Sequence, residues 1–201
     1  MKRLGILLSG RGSNFEAIAQ SIEHGRLDAE IVAVISNRPE ARGIDIGRER
    51  GLPAVVLPSG GMPRDEYDRR VVAELHYFGV ELVCLAGFMW PLTDEFCRAF
   101  QLRALNIHPS LLPAFPGLNA QRQALEHGAK ISGCTVHFVE RQLDAGPIVL
   151  QAAVPVLDDD TEETLVARIL VEEHRIYSEA IGIILSGRWR IEGRRVIAMQ
   201  V

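Results

Sequence analysis

Residues 3–25 read RLGILLSGRGSNFEAIAQSIEHG, and their order decides the fold class. Arg3 to Leu8 is an aliphatic run of strand type. Ser9-Gly10-Arg11-Gly12-Ser13-Asn14 is a glycine-bearing turn, and Asn14 to His24 is a helical stretch that ends at Gly25, a natural terminator. A strand that turns through glycines into a helix, repeated along a chain, is the pattern of a parallel sheet covered by crossover helices.

The repetition is present. Glu30 to Ser36 and Ala54 to Leu57 read as strands, and Arg64 to Phe78 as an amphipathic helix with Tyr67, Val71, Leu75 and Phe78 on one stripe. Leu82 to Ala86 is a fourth strand, and a fifth ends in Leu105 to His108. The texture then changes. Pro109, Pro113 and Pro116-Gly117 punctuate a loop, followed by a helix from Ala120 to His127 and two strands, Ile131 to Val139 and Pro147 to Val154, close enough in sequence for an antiparallel edge. Thr161, inside the acidic run Asp158 to Glu163, is a candidate cap for a helix from Glu162 to Ser186, whose buried stripe is Leu165, Ile169, Ile176, Ala180 and Ile184. Gly187 closes it, and a short hairpin surrounds Gly193. The expectation is a Rossmann-like α/β fold: an open, mostly parallel sheet with helices on both faces and an antiparallel edge in the second half. No flexible linker or repeat interrupts residues 1–201, so one domain is expected.

Composition narrows the function classes. The chain has 201 residues, 47% hydrophobic and 24% charged, with a formal net charge of -4. That is a globular composition with no global attraction for nucleic acid or an anionic membrane, so neither is an expected partner. No stretch approaches the roughly 18 to 20 apolar residues that span a bilayer, and the opening segment is too short for a signal, so a cytoplasmic protein is expected. Cys84, Cys97 and Cys134 lack any Cys-x-x-Cys spacing and suggest neither a disulfide framework nor zinc.

The glycine turn lies where main-chain amides point at a helix N-terminus, which is a place for phosphate. A dinucleotide site would want a third glycine at Phe15 and an acidic residue near Ser36-Asn37; neither is there. Ser13 and Glu16 have capping-box spacing, so an ordinary strand-to-helix turn stands level with the phosphate reading. Asn106 and His108 are two apart on a strand, hence on one face at its carboxyl end, and Pro109 leaves them at a rim. Asp144, in the turn Leu143-Asp144-Ala145-Gly146-Pro147, is a carboxylate able to pair with the imidazole and favour its charged form. An amide donor beside an imidazolium suits acyl transfer to an amine, where an oxyanion needs donors and a proton must reach the leaving nitrogen. Taken singly, His108 reads first as a capping or satisfied core histidine and Asp144 as a turn residue; their joint occurrence with the glycine turn changes the balance. His24, His76, His127 and His174 fall in helices as surface or packing residues, and no grouping has metal-ligand spacing, so no metal is expected.

Four motifs together resemble the phosphoribosylglycinamide formyltransferases, folate-dependent enzymes of purine synthesis, over nearly the whole chain: residues 9–14, Ala86-Gly87-Phe88-Met89, Asn106-Ile107-His108-Pro109-Ser110-Leu111-Leu112-Pro113, and residues 143–147. The resemblance implies a one-domain formyltransferase fold in which 10-formyltetrahydrofolate, as co-substrate, gives its formyl group to the amine of glycinamide ribonucleotide. It implies that Gly12, Ser13 and Asn14 hold the substrate phosphate and that Glu173 contacts the ribonucleotide. His108 is then the proton donor, Asp144 the residue that raises its pKa, and Asn106 the stabiliser of the formyl oxyanion. Arg64 and the segment Met89, Trp90, Pro91 and Leu92 contact the folate, and His137 supports the site from behind. Two departures concern ligand contacts. Trp90-Pro91 stands where relatives commonly carry Arg and an aliphatic residue, so the arginine charge is absent, Pro91 has no amide hydrogen, and Trp90 offers an aromatic face to the aminobenzoyl portion. Asn119-Ala120-Gln121 replaces the His-Thr-His of some members. A formyltetrahydrofolate hydrolase is expected to carry a regulatory domain ahead of this unit, and a methionyl-tRNA formyltransferase a carboxy-terminal domain and a basic face. A non-catalytic binding module is the reading from a different class. Monomer and homodimer both remain open.

Overall fold

The computed structural model of the chain describes residues 1–199; the expected single domain extends to residues 200 and 201, which lie outside the described residues. The chain divides into two compact units, one made by Met1–Asn106 with Val139–Arg141, the other by Ile107–Phe138 with the residues from Gln142 onward.

The first unit alternates as expected: β1 (Lys2–Leu8), α1 (Ser13–Glu23), β2 (Ala29–Ser36), α2 (Arg42–Glu49), β3 (Ala54–Val56), α3 (Arg64–Tyr77), β4 (Leu82–Leu85), α4 (Asp94–Ala99) and β5 (Ala104–His108), whose last residues pass into the second unit. Its strands lie in the order β3-β2-β1-β4-β5, every neighbouring pair parallel. The order reverses between β1 and β4, the crevice where open α/β sheets place ligands. Tyr67, Val71 and Leu75 of α3 are fully buried and join Leu7, Ile35 and Phe96 in the core. Each such side chain contributes on the order of 1.5–3 kcal/mol.

Two helices were not legible in the sequence. α2 carries Gly43 and Gly47, each costing about 1 kcal/mol relative to alanine in a helix. Tertiary packing overrides that cost: Ile44 and Ile46 are buried, and a Cβ at Gly43 would sit 2.5 Å from the Leu8 side chain. α4 has only six residues, too few to display a period.

The second unit holds α5 (Ala120–Glu126), β6 (Ile131–Phe138), β7 (Ile148–Pro155), α6 (Glu162–Leu185), β8 (Trp189–Glu192) and β9 (Arg195–Ala198). β6 and β7 form the expected antiparallel pair, with a register shift at Val136/His137, while β9 runs parallel to β7 and antiparallel to β8. The mostly parallel open sheet with antiparallel strands towards the C-terminus is thus the architecture expected. α6 packs on β6 and β7 and buries the predicted stripe, with Glu173 among the buried residues. Thr161 caps it as predicted, accepting from the Thr164 amide while the Thr164 hydroxyl accepts from the Thr161 amide. Asp160 takes both Arg168 nitrogens at 2.6 and 2.8 Å, and that guanidinium, aided by the Leu157 amide, holds its carboxyl well below the usual range.

Candidate active site

At the carboxyl end of β1 the chain enters α1 through Gly12, which takes the N-cap position in the left-handed conformation, φ 83°. Ser13 is already helical, so the capping box expected from Ser13 and Glu16 does not form; Glu16 instead donates its amide to the Gly12 carbonyl at 2.9 Å. With no side chain capping α1, its opening turn presents main-chain amides, the arrangement suited to an anion. The turn is closed in by α2: Gly43 donates its amide to the Gly10 carbonyl at 3.1 Å, and a Cβ at Gly12 would lie 2.8 Å from Gly43 Cα. Only glycine fits there. Gly12 and Asn14 are buried and Ser13 half-buried.

The segment after β4 carries the residues expected to meet folate. Met89 is 56% exposed, Pro91 is exposed, and Trp90 and Leu92 pack partly buried on the core. The half-buried Trp90 is anchored inward: its indole N–H donates to Asp68 Oδ1 at 3.1 Å, and its ring lies 4.6 Å from that of Tyr67. Asp68, fully buried, also accepts from the Thr93 amide at 2.6 Å and the Thr93 hydroxyl at 2.8 Å. Sequence reasoning passed over Asp68; the signal was a carboxylate next to Tyr67 on the buried side of α3. Arg64, the first residue of α3, is exposed.

His108 ends β5, two residues after half-buried Asn106, which pairs in register with Leu85 of β4. β5 ends at His108 as expected, so these side chains stand at the end of the strand; the loop after β5 folds back over them, and the His108 and Asp144 side chains are only 6% and 5% exposed. Thr135 holds that loop, donating its hydroxyl to the Ser110 carbonyl at 2.7 Å and accepting from the Leu112 amide at 3.1 Å; Gln151 donates to the Leu112 carbonyl at 3.0 Å. The loop then delivers two main-chain groups. The Phe115 carbonyl lies 2.9 Å from His108 Nε2, and the Gly117 amide donates to Asp144 Oδ2 at 2.8 Å. Asp144 itself stands in the left-handed conformation, φ 52°, as its turn requires.

His108 Nδ1 is 3.4 Å from Asp144 Oδ2. Both ring nitrogens therefore face oxygen atoms, which fixes the orientation of the imidazole. His137, two residues after Thr135, lies with Nε2 3.7 Å from Asp144 Oδ1 and Nδ1 2.9 Å from the Phe138 carbonyl. Burial pushes His137 below the ordinary histidine value, against the Phe138 carbonyl and Asp144, which favour its charged form, while His108 opposes it. Asp144 thus lies between two buried histidines, of which His137 is inclined to stay neutral.

These features define an α/β protein with a glycine turn that opens a helix of uncapped main-chain amides and with a buried imidazole–carboxylate pair. The chain belongs to the formyl transferase family, whose profile matches residues 2–181. It is 40% identical over 187 residues to the phosphoribosylglycinamide formyltransferase of Escherichia coli (strain K12), covering 92% of this chain and 88% of that one. It is 45% identical over 192 residues to the trifunctional purine biosynthetic protein adenosine-3 of Drosophila pseudoobscura pseudoobscura, covering 94% of this chain and spanning 14% of that protein's length. Among solved structures, glycinamide ribonucleotide transformylase 1 from Symbiobacterium toebii superposes with a TM-score of 0.97 at 51% identity, covering 100% of this chain and 95% of that one.

Proposed function

We propose that the chain, acting as one domain over residues 1–201, transfers the formyl group of 10-formyltetrahydrofolate to the amine of 5'-phosphoribosylglycinamide, giving the N-formyl product and tetrahydrofolate in purine synthesis. The observation that carries this reading is the buried His108–Asp144 pair, 3.4 Å apart, at the end of β5 in a member of the formyl transferase family. The amine nitrogen forms a bond to the formyl carbon as the bond to the folate nitrogen breaks. One proton leaves the amine and one arrives on the folate nitrogen, so the sum is neutral.

In this reading His108, held in place beside Asp144, gives the proton to the leaving nitrogen, and the Asn106 amide donates to the oxyanion. Gly12, Ser13 and Asn14 receive the phosphate at the start of α1, and Glu173 contacts the ribonucleotide. Arg64 meets the anionic tail of the folate, and residues 89–92 its pterin. Since Pro91 has no N–H and the Trp90 indole N–H is given to Asp68, recognition along this segment falls to main-chain groups of residues 90 and 92. Both ligands are small molecules, and the reading includes no nucleic acid or membrane partner and no metal. The cytoplasm, where free thiols such as Cys84 and Cys134 persist, is the compartment that goes with it.

The test is deformylation of 10-formyltetrahydrofolate followed by absorbance. Turnover that requires glycinamide ribonucleotide supports the transferase; turnover without it makes the protein a hydrolase, and none in either case leaves a binding module.

A further inference from the structure

We propose that Ser9 is a positioning residue that couples the glycine turn to the 89–92 segment, so that a ligand bound at one raises affinity at the other. The proposal rests on the reading that the phosphorylated substrate sits at residues 12–14 and the folate at residues 89–92.

Ser9 is 4% exposed and makes three bonds to two different strand ends. Its amide donates to the Gly87 carbonyl at 3.0 Å, its hydroxyl donates to Asn37 Oδ1 at 2.6 Å, and the same hydroxyl accepts from the Met89 amide at 2.7 Å. The segments following β1, β2 and β4 are therefore joined at one hydroxyl, at the point where the strand order reverses. On its far side Ser9 leads directly into Gly10, Arg11 and Gly12, the start of the anion turn.

The surroundings let motion pass through this link. Gly10 and Gly87 flank it, and a Cβ at either would touch nothing within 4 Å. Beyond residue 92 the segment is anchored, because buried Asp68 accepts from the Thr93 amide and hydroxyl, and the Trp90 indole N–H reaches the same carboxylate through its side chain. A ligand that shifts residues 89–92 thus displaces the Met89 end, which bears on Ser9 and so on the turn. The hydroxyl is needed as donor and acceptor at once, and threonine keeps both roles while alanine removes both.

The experiment is calorimetric titration of glycinamide ribonucleotide into the full-length protein with and without saturating tetrahydrofolate, a pair that does not react. In the wild type, tetrahydrofolate is expected to tighten the ribonucleotide by about fivefold or more. Ser9→Ala is expected to bring that ratio close to one while each ligand still binds alone, and Ser9→Thr to restore it. An unchanged ratio in Ser9→Ala, or a ratio of one in the wild type, overturns the proposal. If Ser9→Ala does not fold, Asn37→Ala, which removes only the acceptor, is expected to lower the ratio, and an unaltered ratio there overturns it equally. Failure of the wild type to bind either ligand removes the functional reading itself, whereas binding without coupling removes only this one.

Discussion

At the glycine turn main-chain amides open the helix, and at Gly12 a side chain is excluded: Gly12 and Gly43 approach so closely that a Cβ on the former would sit 2.8 Å from the backbone of the latter. At the His108–Asp144 pair the reverse holds. There the backbone serves the side chains, with the Phe115 carbonyl and the Gly117 amide brought in by a loop to satisfy a buried imidazole and a buried carboxylate. The first region depends on space and is sensitive to added atoms. The second depends on charge in a dry setting and is sensitive to removed ones.

Removing the imidazole gives the largest expected effect. His108→Ala is expected to lower kcat by about 10²–10⁴-fold with the fold retained, read by the deformylation assay and circular dichroism. A near-wild-type rate takes His108 out of the chemistry and leaves the pair as packing. Adding one methyl group probes the other region: Gly43→Ala, with its Cβ 2.5 Å from Leu8, is expected to destabilise by about 1–3 kcal/mol and to weaken ribonucleotide binding. Thermal unfolding and titration check it, and an unchanged melting temperature would show that α2 shifts freely and that the turn is not space-limited.

Trp90→Phe keeps an aromatic ring beside Tyr67 but deletes the pyrrole part of the indole with the N–H given to Asp68, for an expected loss of about 1–3 kcal/mol, because the buried carboxylate then keeps only its Thr93 donors. Chemical denaturation measures it. The smallest effect concerns His137. Its folded pKa lies below the unfolded value of about 6.5, so below that pH the unfolded chain binds more protons and stability declines as pH falls toward the depressed folded value. His137→Gln is expected to flatten the fall in melting temperature across that acidic window and to leave stability above about pH 6.5 unaffected by titration at this position. An equally steep fall in the variant assigns the acid sensitivity to other groups.

The candidate site was legible in the sequence where its residues carry local signatures. The Asn106-x-His108 spacing, the glycines of residues 9–14 and Asp144 before Gly146-Pro147 state their own backbone geometry. Ser9, Asn37, Asp68 and Gly117 were not legible as partners, because each acts through a group 22 or more residues away: Ser9 with Met89 at a separation of 80, Asp68 with Trp90 at 22, Gly117 with Asp144 at 27. The capping box at Ser13 was legible and did not form, since the left-handed Gly12 takes the cap position one residue earlier.

By itself the sequence determined the alternation of strands and helices, the antiparallel pair in the second half, the Thr161 cap of α6 and the pairing of chemistry-bearing residue types, all of which follow from periodicity, glycine, proline and short-range hydrogen bonding. Only the tertiary structure decided that α2 is a helix despite two glycines, that His108 at the strand end is covered by the following loop, that the Trp90 indole reaches Asp68, and that His137 stands on the far side of Asp144. The reason is physical. Local signals act within a turn or two of chain, whereas burial and the distance between two polar atoms are set by which distant segments pack together, and that packing is specified by the whole chain at once.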